Sequence, residues 1–188
     1  RCSSETTDVL NKVAFGNGTF VAVGDLGVVV TSTNGVDWET RNSSTTVSLY
    51  DVAYGDNTFV AVGVSGTILS STDGINWNSR TSGTGDWLRG VAYGDGQFVA
   101  VGISGSILTS ANGVVWTCSD SMYFLNQIAY GNGSFVAVGF NGTVLNSEDG
   151  IKWTKCDVDM SYTLNSLMFG NERFVIAEEG GTLASDDG

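Results

Sequence analysis

Apolar and polar positions along this 188-residue chain form one sentence that recurs five times, the last copy in drifted and shortened form: V-A-[FY]-G, a turn of two or three residues, FVAVG, a short loop, then S-x-[DN]-G-x-x-W. The copies start at Val13, Val52, Val91, Ile128 and Leu167, spaced by 37 or 39 residues. A fixed period of this size marks one supersecondary unit stacked several times, because a single unit cannot bury its own apolar faces. Within the second copy, Leu49 to Tyr54 reads as a strand, ended by the turn residues Gly55-Asp56-Asn57. Thr58 to Val62, Thr67 to Ser71 and Ile75 to Arg80 follow as three more strands, separated by Gly63-Val64-Ser65-Gly66 and Asp73-Gly74. Four short antiparallel strands per period are one propeller blade.

The alternation inside each strand says how the blades meet. Ala14, Ala53, Ala92 and Ala129 sit in the first strand and Ala22, Ala61, Ala100 and Ala137 in the second, each flanked by large residues on the opposite face. Both faces are apolar, as expected of sheets packed between neighbouring sheets rather than of a sheet with one side in water. A β-solenoid is the rival architecture, but its coils are shorter and have fewer hairpin turns. The expected fold is all-β: a five-bladed β-propeller of four-stranded antiparallel blades forming a single domain over residues 1–188. Arg1-Cys2-Ser3-Ser4 aligns with the end of a fourth strand, and the last copy stops at Ser185-Asp186-Asp187-Gly188, before its own fourth strand. The N-terminal strand is therefore expected to complete the last blade and close the ring, although a piece cut from a longer protein would read in the same way.

The turns Ser32-Thr33-Asn34-Gly35-Val36-Asp37-Trp38, Ser71-Thr72-Asp73-Gly74-Ile75-Asn76-Trp77, Ser110-Ala111-Asn112-Gly113-Val114-Val115-Trp116 and Ser147-Glu148-Asp149-Gly150-Ile151-Lys152-Trp153 resemble the Asp-box, or BNR, repeats of sialidase-like propellers. The usual Asp-box has one more residue between Asp and Gly. The repeat as a whole resembles bacterial propellers of the photosystem II stability/assembly factor type, over essentially the full chain. The resemblance implies a propeller, and it leaves function open because such repeats serve enzymes, lectins and scaffolds alike. The residues themselves explain the box structurally: an Asx side chain caps the turn, Gly supplies positive φ, and Trp is expected on the next strand, packing between blades.

Composition narrows the function classes. With 8 Lys and Arg against 20 Asp and Glu, the net charge of −12 leaves no basic stripe for nucleic acid or an anionic membrane surface. No segment is long and apolar enough to insert into a bilayer. Cys2, Cys118 and Cys156 have no metal-ligand spacing and fall at nearly equivalent positions of different repeats, too far apart for a disulfide. Asn17, Asn42, Asn132 and Asn141 begin N-x-[ST] sequons, three of which turn chemistry already accounts for. No metal or cofactor is expected. There is no histidine, the commonest general base. Sialidase chemistry needs a converging arginine cluster, whereas Arg41 and Arg80 repeat on outer strands of neighbouring blades. A glycosidase pair needs two carboxylates across the axis, and Asp51 and Glu172 alone depart from the repeat there. An enzyme is not expected, with a glycoside hydrolase the remote alternative.

Sites arise where repeats differ. The third residue before each first-strand Val or its equivalent is always Leu (Leu10, Leu49, Leu88, Leu125, Leu164), and its neighbours vary. Those neighbours include Tyr50, Trp87, Arg89 and Tyr123, together with Phe124, Asn126, Tyr162 and Asn165. They lie where one blade connects to the inner strand of the next, so they are expected to ring one face near the axis and to form the ligand-binding candidates. The V-G-x-x-G loops vary too, but lie between other strands. Aromatic faces beside amides suit sugar rings, so the first expectation is a non-catalytic, lectin-like module binding a glycan. The alternative is a protein-docking scaffold or a structural spacer, in either case on an extracellular, cell or virion surface.

Overall fold

Glycine, asparagine and aspartate at the ends of each apolar run let the chain reverse tightly, and each repeat folds into a small antiparallel sheet. The computed structural model describes residues 6–158, 161–178 and 181–185. Blade 1 contains β1 (Leu10–Gly16), β2 (Thr19–Gly24), β3 (Val29–Ser32) and β4 (Glu39–Arg41). Blade 2 contains β5 (Leu49–Gly55), β6 (Thr58–Gly63), β7 (Ile68–Ser71) and β8 (Asn78–Arg80). Blade 3 contains β9 (Leu88–Gly94), β10 (Gln97–Gly102), β11 (Ser106–Ser110) and β12 (Thr117–Asp120). Blade 4 contains β13 (Leu125–Gly131), β14 (Ser134–Gly139), β15 (Val144–Ser147) and β16 (Thr154–Lys155), and blade 5 contains β17 (Ser166–Gly170), β18 (Arg173–Glu178) and β19 (Gly181–Ser185). Each sheet is a meander in chain order, so the fold is the expected five-bladed β-propeller.

The fourth strand is shorter than the sequence pattern suggests. Asp73 Oδ1 accepts the N–H groups of both Ile75 and Asn76 at 2.8 Å, and Ser71 Oγ accepts that of Gly74 at 2.9 Å. These bonds hold residues 73–76 in the turn, so the strand begins at Asn78 rather than Ile75. Trp77 accordingly precedes the strand instead of lying on it. Its Nε1 donates to Gly74 O at 3.0 Å while the ring packs in the core between blades 1 and 2. The same turn recurs around Asn34, Asn112 and Asp149.

Neighbouring blades pack through a knob and a seat. The aromatic of each V-A-[FY]-G run lies against the glycine that ends the inner strand of the preceding blade: Tyr54 on Gly16, Tyr93 on Gly55, Tyr130 on Gly94, Phe169 on Gly131. A Cβ on any of these four glycines would collide with the ring above it. The FVAVG valines complete each junction from the other direction. Val21 and Val23 join Phe59, Ala61 and Leu69 in one buried cluster, and Val60 and Val62 join Phe98, Ala100 and Leu108 in the next. Small Ala faces thus meet bulky Val faces, as the alternation implies, and the core is four inter-blade layers.

The closing strand expected from Arg1-Cys2-Ser3-Ser4 lies outside the described residues, as do Asp186, Asp187 and Gly188. Among the described residues the four junctions run from blade 1 to blade 5. Phe15 does not reach Gly170, the seat it would occupy in a closed five-blade ring. Cys118 and Cys156 form no disulfide, and Cys2 is outside the described residues.

Candidate functional site

The inner strands carry a local irregularity that shapes the axis. In blades 1 to 4 the register with the second strand slips just before the central apolar residue, leaving Asn11, Tyr50, Arg89 and Asn126 unpaired as bulge residues. A bulge turns a side chain out of the alternating pattern. Here it supplies one side chain per blade to a cavity of about 450 Å³ lined by these four residues together with Lys12, Gln127, Asn165 and Ser166.

Most of the lining residues are tied to a neighbour. Asn11 Nδ2 donates to Leu49 O of blade 2 at 2.9 Å and to Asp25 Oδ1 at 3.1 Å. Asn126 Nδ2 makes the matching bond to Leu164 O, on the approach to blade 5, at 3.1 Å and a second one to Asn165 Oδ1 at 3.2 Å. The Arg89 guanidinium lies over the Tyr50 ring, 4.4 Å from its centroid, and the Trp87 ring stands 6.3 Å from Tyr50. Gln127 Oε1 accepts the Ile128 N–H at 3.0 Å and reaches over Gly90, where any side chain would meet it.

Below the cavity wall lies a buried charge. Asp51 is 1% exposed, and its carboxylate accepts Val52 N–H at 2.8 Å and, from blade 3, Val91 N–H at 3.1 Å. Lys12 Nζ is 3.6 Å from Asp51 Oδ1. Burial pushes the carboxyl up to about 6, against the opposing pull of Lys12 and the two N–H donors.

Of the eight residues singled out in the sequence, Tyr50, Arg89, Asn126 and Asn165 line the cavity, and Trp87 stands at its rim beside Tyr50. Three do not join them. Tyr123 is partly buried against the core between blades 3 and 4, with Lys155 Nζ 5.9 Å from its ring centroid. Phe124 is exposed and meets Phe140 edge-on, with centroids 6.2 Å apart. Tyr162 is exposed, and its carbonyl accepts Gly142 N–H at 2.7 Å.

The V-G-x-x-G loops, set aside in the sequence because they join other strands, belong to the same face. In a meander the second strand returns to the end where the first began, so this loop lies beside the inter-blade connection. Asp25 bonds Asn11, Phe140 packs on Phe124, and Val9 O, Ser48 O, Trp87 O and Phe124 O accept N–H groups from the four loops. Strand polarity was the signal that could have found them. The Asp-box turns lie at the opposite end, beside the hairpins that join the first and second strands, as the bond from Gln97 Nε2 to Asp149 O shows. Glu172 is also at that end, in the β17–β18 turn, whereas Asp51 lies near the start of its inner strand.

No family model matches the chain, and no curated protein matches it in sequence. Its fold is similar to several solved structures. These include YCF48 from Cyanidioschyzon merolae (19% identity, 97% of this chain, 68% of that one, TM-score 0.73) and YCF48 bound to D1 peptide (17%, 96%, 64%, TM-score 0.69). The nidogen/laminin complex is a third (12%, 96%, 76%, TM-score 0.71). The chain spans 55–76% of the length of these and the other leading match. The likeness to photosystem II assembly factor propellers therefore holds at the level of fold.

Proposed function

We propose that this chain is a non-catalytic recognition module that holds an extended segment of a partner protein over the axial cavity, with a carboxylate of that segment on Arg89. The observation that carries the reading is the amide lining: Asn11, Asn126, Gln127 and Asn165 surround one cavity with Arg89. Amide side chains offer both donors and acceptors, which match the alternating groups of a peptide backbone. Arg89 is already stacked on Tyr50, so its planar fork is oriented before a ligand arrives. Fold-level analogy adds weight, since YCF48 has been solved bound to D1 peptide and nidogen in complex with laminin. Asp51 and Glu172 sit at opposite ends of the inner strands, and Arg41 and Arg80 bond Thr31 and Ser70 on outer strands, which favours binding over hydrolysis.

A glycan is the second reading. Trp87 is 45% exposed at the cavity rim and could stack a sugar ring, although the guanidinium already covers one face of Tyr50. Selection from a random peptide library, run beside a glycan array, separates the two. The protein reading expects peptides enriched in an acidic residue whose binding is lost in Arg89→Ala with an unchanged circular dichroism spectrum. Glycan hits lost in Trp87→Ala, with no peptide enriched, would replace it by the glycan reading, and no hit on either would leave a spacer.

A further inference from the structure

Immediately before its central apolar residue, each of the five inner strands carries a different residue: Lys12, Asp51, Gly90, Gln127 and Ser166. The repeat scaffold needs no charge at this place. Blade 3 has no side chain there at all. In blade 4, Gln127 Oε1 accepts the Ile128 N–H at 3.0 Å, the same bond that Asp51 Oδ1 makes to the Val52 N–H at 2.8 Å. A neutral amide thus serves where blade 2 buries a carboxylate. Positive charge, by contrast, is concentrated here. Of the eight Lys and Arg residues of this acidic chain, Lys12 from blade 1 and Arg89 from blade 3 both line the axial cavity, and among the described residues no acidic side chain lines it.

Lys12 is the loosest of the three partners of Asp51. Its Nζ lies 3.6 Å from Asp51 Oδ1, against 2.8 Å and 3.1 Å for the Val52 and Val91 N–H donors. Those donors are fixed in their strands, whereas the ammonium ends a flexible stem that is 40% exposed. The elements packed against β5 bring three charged side chains: Lys12 on β1, Arg89 on β9 and Asp25 in the loop after β2. Arg89 is engaged with Tyr50, and Asp25 with Asn11. The remaining titratable groups on β5 and β9, Tyr54 and Tyr93, rest on Gly16 and Gly55. Lys12 is therefore the charge that acts on the Asp51 carboxyl, and it makes no other ion pair among the described residues.

We propose that Lys12 is a second cation for the ligand of the axial cavity, locked by Asp51 until that carboxylate takes up a proton. The inference rests on the acidic segment seated on Arg89 and adds a second carboxylate to it. With Asp51 protonated, both of its oxygens still face their backbone donors, but the ammonium has lost its anionic partner and turns to the ligand. One proton enters from solution at Asp51, and Lys12 keeps its own. A ligand that draws Lys12 away removes the pull that lowers the Asp51 carboxyl from the value set by burial. Binding therefore takes up a proton and strengthens as pH falls through about 6.

Selection from a random peptide library at about pH 5 and at about pH 7.5, on either side of the Asp51 transition, tests this. Wild type is expected to enrich peptides with one acidic residue at the higher pH and with two at the lower. A two-acid peptide so selected should bind about tenfold tighter at the lower pH, the equivalent of one pKa unit. Asp51→Asn, which keeps an acceptor oxygen as Gln127 does, should enrich two acidic residues at both pH values. Lys12→Met should enrich one at both, and it carries the test by itself if circular dichroism shows Asp51→Asn to be misfolded. A single acidic residue enriched by wild type at both pH values, and lost in Arg89→Ala, keeps the acidic segment and overturns the role of Lys12. So does a second acidic residue that persists in Lys12→Met. No acidic enrichment under any condition removes the Arg89 reading, and this proposal falls with it.

Discussion

Asp51 in blade 2 accepts the backbone N–H of Val91 in blade 3 at 3.1 Å, so one buried carboxylate links two inner strands directly beneath the axial cavity. The burial of this carboxylate gives the junction a pH dependence. Because burial raises the folded-state pKa from 3.8 to about 6, the native state binds this proton more tightly than the unfolded chain. The stabilisation from protonation is present below the unfolded value and is lost as pH rises through about 6. The loss amounts to about 3 kcal/mol across the window. Other carboxylates titrate in the same range, so the measurement is a difference. Urea unfolding of wild type and Asp51→Asn should show the wild type losing ground to the variant between about pH 4 and 6. A difference that stays flat with pH would count against it.

The knob-and-seat packing makes chemically identical substitutions unequal. Gly94→Val puts a side chain into the Tyr130 ring and is expected to destabilise by about 3 kcal/mol. Gly170→Val meets, among the described residues, only Met168 Cε at 3.9 Å, and is expected to stay within about 0.5 kcal/mol of wild type. Thermal unfolding of the two variants side by side decides the matter, and equal losses would show that the seat is not what the glycine serves.

The box turn depends on an acceptor oxygen rather than on a charge. Asp73 Oδ1 takes two backbone N–H groups, and Asn34 Oδ1 takes the same two at its own turn, at 2.9 Å each. The N–H donors, that of Asn76 foremost, hold the Asp73 carboxyl well below the usual carboxylate range, so both its oxygens remain acceptors down to strongly acid pH. Asp73→Asn should therefore leave stability nearly unchanged at pH 7, and Asp73→Ala should cost about 1 kcal/mol. Chemical denaturation of the pair is the check. An Asn variant as weak as the Ala variant would show that the charge matters after all.

Much of this architecture was legible because repetition averages out local ambiguity. The Ala22 and Ala61 positions mark the crowded faces, and Asn17-Gly18 marks a hairpin whose residues take φ of 47° and 73°. What escaped were features that periodicity does not carry. A bulge adds one residue without changing the letters around it, so nothing distinguished Tyr50 and Arg89, which enter the cavity, from Tyr123, which packs against the core. Trp77 precedes its strand because the Asx turn extends three residues past its acceptor, a reach that the letters S-x-[DN]-G-x-x-W do not show. Phe15 and Tyr54 occupy the same place in the repeat, and only the arrangement of whole blades exposes one and covers the other.

The Arg89–Tyr50 stack gives the last expectation, which concerns the shape of a cation rather than its presence. A guanidinium 4.4 Å above the ring is planar and can stack while its N–H groups point elsewhere, whereas an ammonium is compact and strongly hydrated. Arg89→Lys keeps the charge and should still lose most of the affinity for a selected acidic peptide, on the order of tenfold, close to the loss in Arg89→Ala. Raising the salt should weaken wild-type binding only modestly, because one seated charge pair is involved and the rest of the cavity is amide. Isothermal titration at two ionic strengths reads both quantities. If Arg89→Lys binds as the wild type does, the guanidinium acts as a simple point charge and its stacking on Tyr50 contributes nothing to recognition.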